Sequence, residues 1–358
     1  MPVSNHHVTI LNAADGIDSI AEPINQWIDL SNGVMQRRFG HDDYDETAEV
    51  LTAALSQQEQ SNKWLALVSD AQGRVLGGSF ARRSKYENPT ILDELEIIVE
   101  ESARGRGVGA AVQAGLEQLA AEQGCRTLRG WATHPISNTG DDPAGVLMPK
   151  EGPFGVGRSD PGTRFALTHG YQLAQTERHS IQQVADPRAA TGPALADGYR
   201  FHHWAEFTPE RWHQDMCALH LAMSQDVPKG DLEEEDAQWT PERLVEAEQG
   251  LAERRHRLIV AAEHVDSGEL AAFTEVTKYP TATGAAYQGD TIVRREHRGH
   301  RLGHSLKVEN LRHVREAWPQ TQRIHTWNAG ENDHMWSINE SLGYETSDVT
   351  GAWVKKLD

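Results

Sequence analysis

The chain repeats itself. "IVEESARGRGVG" (Ile98–Gly109) aligns with "IVRREHRGHRLG" (Ile292–Gly303), and Ile98, Val99, Arg104, Gly105 and Gly109 each meet an identical residue 194 positions later, at Ile292, Val293, Arg298, Gly299 and Gly303. The same offset joins Arg129 to Arg323. Farther on, "THGY" ends at Tyr171 and "SLGY" at Tyr344, an offset of 173, so the first half carries 21 extra residues within His134–Gly162. That stretch is rich in Gly, Pro, Asp and Ser and reads as an inserted loop. Loops of such length are commonly lids or binding loops. At 358 residues the chain exceeds one ordinary domain, and the repeat makes two copies of one fold the expectation. The boundaries read as residues 1–185 and 198–358, with a linker at 186–197 in the Ala- and Pro-rich "ADPRAATGPALAD".

Each copy centres on a strand, a turn and a helix. Leu95, Ile97 and Val99 alternate with Glu94, Glu96 and Ile98, as in a strand. Val108, Val112, Leu116 and Leu119 then recur at helical spacing. Between them lies Arg104-Gly105-Arg106-Gly107-Val108-Gly109. A glycine-rich turn opening a helix leaves backbone N–H groups unpaired and lets a bulky anion approach them, with the helix dipole adding favourable potential. A diphosphate suits such a turn. Ahead of it, periodicity predicts helices over 17–39 and 46–60 and strands over 64–69 and 75–82. The second half repeats that order: strand 199–204, helices 209–223 and 241–255, strands 256–264 and 270–277. Strand–helix–helix–strand–strand–strand–turn–helix is an α/β pattern.

Composition narrows the function. The formal net charge of −19 argues against nucleic acid, whose phosphates require a basic face, and leaves a cationic or amine substrate open. No apolar run approaches the about 20 residues of a membrane span, and the amino terminus shows no signal-peptide pattern. Cys125 and Cys217 stand far apart without metal-ligand spacing, which fits a reduced, cytoplasmic protein. The 18 histidines include His297, His300 and His304 at the second turn but match no zinc motif, so no metal is expected.

The first turn is neither a P-loop, lacking the closing Gly-Lys-Ser/Thr, nor a dinucleotide fingerprint. It resembles the coenzyme A signature Gln/Arg-x-x-Gly-x-Gly/Ala of the GNAT N-acetyltransferases, with Arg104, Gly107 and Gly109 at the defined positions. In the second turn Arg301 replaces the first glycine. "TWNAGENDHMWSINESLGY" is similar to a second GNAT pattern, with Asn332, Met335, Asn339 and Gly343-Tyr344 at its landmarks. The whole resembles tandem GNAT proteins of the two-domain type typical of actinobacteria. The resemblance implies an α/β fold of two GNAT-like domains, each a mixed, mostly antiparallel twisted sheet flanked by helices. It implies acetyl-CoA as co-substrate, held by Val99, Arg104, Gly105, Arg106, Gly107, Val108, Gly109 and Ala110 in the first half. In the second half the corresponding residues are Val293, Arg298, Gly299, His300, Arg301, Leu302, Gly303 and His304, with Asn332.

The implied reaction is direct attack of a small-molecule amine on the thioester. That chemistry needs a base on the strand before the turn. Glu96 and Asp290 occupy matching positions there, and Glu94 is a further candidate, its counterpart being Gln288. The family's usual tyrosine acid is replaced by Ala166 and Asn339; Tyr287 is another phenol that could serve. Which half catalyses stays open, as does monomer or homodimer. A non-catalytic acyl-CoA-binding protein is the alternative, and a peptide acetyltransferase a third reading. No nucleic-acid or membrane partner is expected.

Overall fold

The structure is a computed structural model that describes residues 6–13, 16–136, 143–282 and 284–357; the tip of the predicted inserted loop, residues 137–142, lies outside them. The first half runs β1 (His7–Leu11), α1 (Ile17–Phe39), α2 (Ala48–Ser56), β2 (Ser61–Ser69), β3 (Val75–Ser84), β4 (Ile91–Glu94), β5 (Ile98–Val99), α3 (Val108–Glu122) and β6 (Thr127–His134). A short hairpin, β7 (Val146–Leu147) and β8 (Val156–Gly157), then leads to α4 (Pro161–Thr168) and β9 (Gln172–Gln183). The second half runs β10 (Tyr199–Ala205), α5 (His213–Asp226), α6 (Pro241–Ala252), β11 (His256–His264), β12 (Glu269–Lys278) and β13 (Ala285–Val293). It ends with α7 (Leu302–Ala317), β14 (Arg323–Ala329), α8 (Asp333–Ser341) and β15 (Tyr344–Lys356).

Local chemistry sets the elements that matter for the site. Val108, Val112, Leu116 and Leu119 form a buried stripe on α3, as the periodicity predicts. Gly40, in the left-handed region at φ 77°, stops α1, and Thr47 caps α2 by accepting from the Val50 amide. The strand expected over 94–99 is interrupted. β4 stops at Glu94 and pairing resumes at Ile98. The expected alternation is also reversed at its start, with Glu94 buried and Leu95 55 % exposed. Leu95 is exposed because it lines a cavity.

Twelve of the thirteen strands of one sheet run in the order β1-β2-β3-β4-β6-β15-β9-β14-β13-β12-β11-β10, with β5 paired to β3 off that path. Read inward from both edges, the halves have the same strand order. Each is antiparallel except for one parallel pair, β4–β6 in the first half and β13–β14 in the second. At the centre the halves exchange strands. β15, from the second half, completes the first half's sheet by pairing with β6, and β9 pairs with β14 in return. The exchanged strands also pair with each other, Tyr344 opposite Gln182 and Val354 opposite Gln172.

A polar cluster is buried at this junction. Asp43, from the α1–α2 connection, accepts from Arg323 through Nε and Nη2, both at 2.6 Å, and lies 2.9 Å from His325 Nε2. The His325 ring stacks on His179 at 5.2 Å, and His179 Nδ1 lies 2.7 Å from Asp348. Burial would push Asp43 up, but the bonds from Arg323 and His325 outweigh it and hold the carboxyl well below the usual range. Tyr287 belongs to this junction, donating its hydroxyl to the Asp43 carbonyl, and it lines neither cavity described below. That placement corrects its reading as a substitute acid.

Candidate functional site

Parallel pairing of β4 and β6 ends at Glu94 and Gly130, and the strands then part. A cavity of about 830 Å³ opens between them. Glu94–Val99 line one side and Gly130–Thr133 the other, with Phe165 of α4 and Trp353 of β15 completing the wall. Arg104, Gly105 and the run from Gly107 to Ala110 line its end; Arg106, expected among them, does not. Among the described residues no side chain caps α3, and its N-cap Gly107 has φ 87°. The first N–H groups of α3 therefore lack partners within the helix. A Cβ added at Gly105 (φ 71°) would meet nothing within 4 Å, so the backbone there borders open space. The Arg104 Nε donates to the Val99 carbonyl at 3.3 Å, and no carboxylate pairs with Arg104 among the described residues.

Two candidate carboxylates share this cavity. Glu94 is 5 % exposed. Its Oε1 accepts from the Tyr171 hydroxyl at 2.5 Å, and Gln113 Nε2 donates to that hydroxyl at 2.8 Å. Its Oε2 is buried with no hydrogen-bond partner among the described residues. Burial pushes Glu94 up to about 7, against the pull of the Tyr171 bond. Glu96 is placed differently. Its Oε1 accepts from Arg38 Nη1 at 2.6 Å and its Oε2 from the Thr133 amide at 3.2 Å. It thus ties the parted strands across the cavity's mouth. Behind the wall, Trp353 Nε1 approaches His134 Nε2 at 3.3 Å, and His134 Nδ1 lies 2.8 Å from Asp160.

A second cavity, of about 1070 Å³, opens at the equivalent place beyond the β13–β14 pair. Gln288–Val293, Trp327–Ala329 and the second turn line it, with Asn332; His300 does not. Trp131 lines both cavities. The third candidate carboxylate, Asp290, faces this one, 3.8 Å from His220 Nδ1. Desolvation of the group, then the Glu275 charge, push its carboxyl up, with Arg257 opposing. Lys307 is buried and donates to Asn339 Oδ1 at 2.8 Å; burial pushes its ammonium down to about 7. Asn332 Oδ1 accepts from the Met335 amide at 3.1 Å, which caps α8.

The two turns differ in detail. Arg298 Nε donates to the Val293 carbonyl at 3.3 Å, as Arg104 does to Val99. At Gly107's position, however, stands Arg301 with φ 58°. Arg298 Nη2 also pairs with Asp226 at the end of α5. Arg295 holds the same carboxylate, its Nε 2.8 Å from Oδ1.

The structure thus brings Glu94 and Glu96 together at the first turn and sets Asp290 apart at the second. Sequence reasoning missed Arg38, Gln113, Tyr171, Asp226 and Lys307 as site residues. Gln113 and Lys307 are themselves 194 apart, each a polar residue buried on the helix after a turn. That oddity was the available signal.

No family model matches the chain, and no curated protein matches it. Solved structures do. A tandem GNAT protein from the clavulanic acid biosynthesis pathway is 25 % identical, with a TM-score of 0.77 over 98 % of both chains. A GCN5-related N-acetyltransferase from Sphaerobacter thermophilus is 15 % identical, with a TM-score of 0.61 over 99 % of this chain and 96 % of its own. Among the described residues no helix is long and apolar enough to cross a membrane. The likeness runs through both halves and their order, and the chain accordingly has the tandem GNAT fold.

Proposed function

We propose that the protein is an acetyl-CoA-dependent N-acetyltransferase acting on a small-molecule amine, with transfer in the first cavity. One observation carries this reading: the uncapped glycine turn, the carboxylate-free Arg104 and the buried Glu94 all line one space. The residues present fit the coenzyme. Gly105 and Gly107 give backbone access where a side chain would intrude, and Arg104 adds positive charge for a diphosphate. When bound, acetyl-CoA supplies an activated acyl group. The chain's own task is to orient the amine and remove its proton. Glu94 Oε2, on a carboxylate poised near neutral pH, accepts that proton from the amine, directly or through one water. The Tyr171 hydroxyl fixes the carboxylate's orientation, and Gln113 fixes the hydroxyl. Glu96, held by Arg38 and the Thr133 amide, bridges the parted strands. The net charge of −19 favours a cationic acceptor. Two cysteines, Cys125 and Cys217, both free and buried, fit a reduced compartment such as the cytoplasm.

A second reading rests on Ala166, which stands at the position of the family's tyrosine and leaves no proton donor there. On that reading the protein binds acyl-CoA without turning it over. Thiol release from acetyl-CoA across a panel of small amines, with calorimetric binding alongside, separates the two. Amine-dependent release supports transfer. Binding without release from any amine favours the second reading, and absence of both rejects the two together.

A further inference from the structure

We infer that Asp226 closes the second turn to a coenzyme diphosphate, so that one chain takes one acyl-CoA, in its first half. This rests on the reading that the chain binds acyl-CoA through a glycine-rich turn, and it assigns a role to a residue outside both signature turns.

The two turns are built alike up to the point where they diverge. Each is followed by a helix that no side chain caps among the described residues. Each opens with an arginine whose Nε donates to the carbonyl five residues earlier, at 3.3 Å in both cases. That shared bond fixes the guanidinium at equivalent places in the two cavities. The remaining guanidinium nitrogens of Arg104 meet no carboxylate among the described residues. Those of Arg298 meet Asp226, which lines the second cavity. Arg295, one turn earlier, closes on the same carboxylate from another side; its counterpart in the first half is Glu101, which carries the opposite charge.

Asp226 is therefore an internal anion held where an incoming anion would be drawn. Its side chain is 8 % exposed. Charge-assisted bonds of this kind are about twice as strong as neutral ones. A diphosphate entering the second turn would have to replace those bonds and would meet a like charge beside them. Arg301 adds a steric obstacle, presenting a side chain where Gly107 presents none. The second cavity keeps its room but not its anchor.

The test is coenzyme A binding by calorimetry on the full chain, for the parent, D226N and D226A, each with and without G107E. The parent should bind one equivalent, lost in G107E. The Asp226 variants should gain a second site that survives G107E, with affinity at least about tenfold above any residual binding there. Amide deuterium exchange on the parent with coenzyme A should show protection at residues 104–110 and none at 298–304, and this decides the matter should the Asp226 variants fail to fold. Protection at both turns of the parent overturns the closure while leaving the acyl-CoA reading intact. Folded D226N and D226A proteins that bind nothing once G107E is added likewise overturn it. Protection at the second turn alone overturns both.

Discussion

A buried carboxyl group that keeps one hydroxyl as its hydrogen-bond partner favours its protonated form. Glu94 is in that position, and the sign of its effect follows. Its folded-state value, about 7, lies above the unfolded value near 4.5, so the native state binds the extra proton between the two. Its contribution to stability is full below the lower value and is lost as pH rises toward 7. Activity runs the other way, since the base must be ionised. We expect kcat/KM to rise as pH passes through about 7 in the parent. E94Q should lower turnover by about a hundredfold to ten-thousandfold, abolish that limb and leave coenzyme A affinity unchanged. A pH–rate series with parallel calorimetry checks all three; an unchanged profile in E94Q would assign the proton to another group. Glu94 was legible as a candidate because it precedes the turn at a strand position. Its environment was not. Period-two reading assumes one wet face and one dry face, and here a cavity makes Leu95 wet and a packed core makes Glu94 dry. Tyr171, its partner, lies 77 residues away along the chain, and no local pattern couples them.

The strand–turn–helix unit is the element the sequence exposes most fully, because both its glycines and its helix stripe have short-range causes. Gly105 provides a clean check. It holds φ 71° in open space, so Gly105→Ala meets no clash and charges the fold only for its backbone conformation. We expect a loss of about 1–2 kcal/mol in denaturant unfolding at constant m. Gly115, on the exposed-looking part of α3, behaves differently. Its Cβ would lie 2.6 Å from Val8 Cγ1, so an Ala there must displace the Val8 side chain and should cost more than its helix propensity returns. The difference is one of tertiary contact, which explains why the glycines of the turn could be read from sequence and the one in the helix could not.

At the scale of the whole molecule the repeat was visible and the exchange was not. β9 and β15 occupy equivalent places in their copies, and an alternating strand satisfies its own sheet as well as its sibling's. What distinguishes the two arrangements is the packing at the junction, where Asp43, His179, Arg323, His325 and Asp348 meet. Removing one partner from such a buried ionic cluster typically costs about 3–5 kcal/mol, and D43A should fall in that range. Asp43 has a depressed folded-state value, so its stabilisation is present above the unfolded value near 3.8 and disappears as pH falls through the folded one. The parent should therefore lose stability on acidification below about pH 4, and D43A should lose less, as measured by denaturant midpoints along a pH series. Because each half borrows a strand, we also expect a single calorimetric transition with equal van't Hoff and calorimetric enthalpies. Two resolved transitions would mean that the shared sheet does not couple the halves.

The exchange has a consequence for how the protein is made. Trp353, a wall of the first cavity, belongs to β15, and roughly 160 residues separate Gln183 from Tyr344. At a synthesis rate of about 5–20 residues per second, the ribosome needs on the order of ten seconds to go from one to the other. During that interval β6 waits with an open edge and the first cavity lacks a side. The nascent first half must remain incomplete until the second half is translated, so a premature stop in the last strand would disable the site encoded at the beginning of the message.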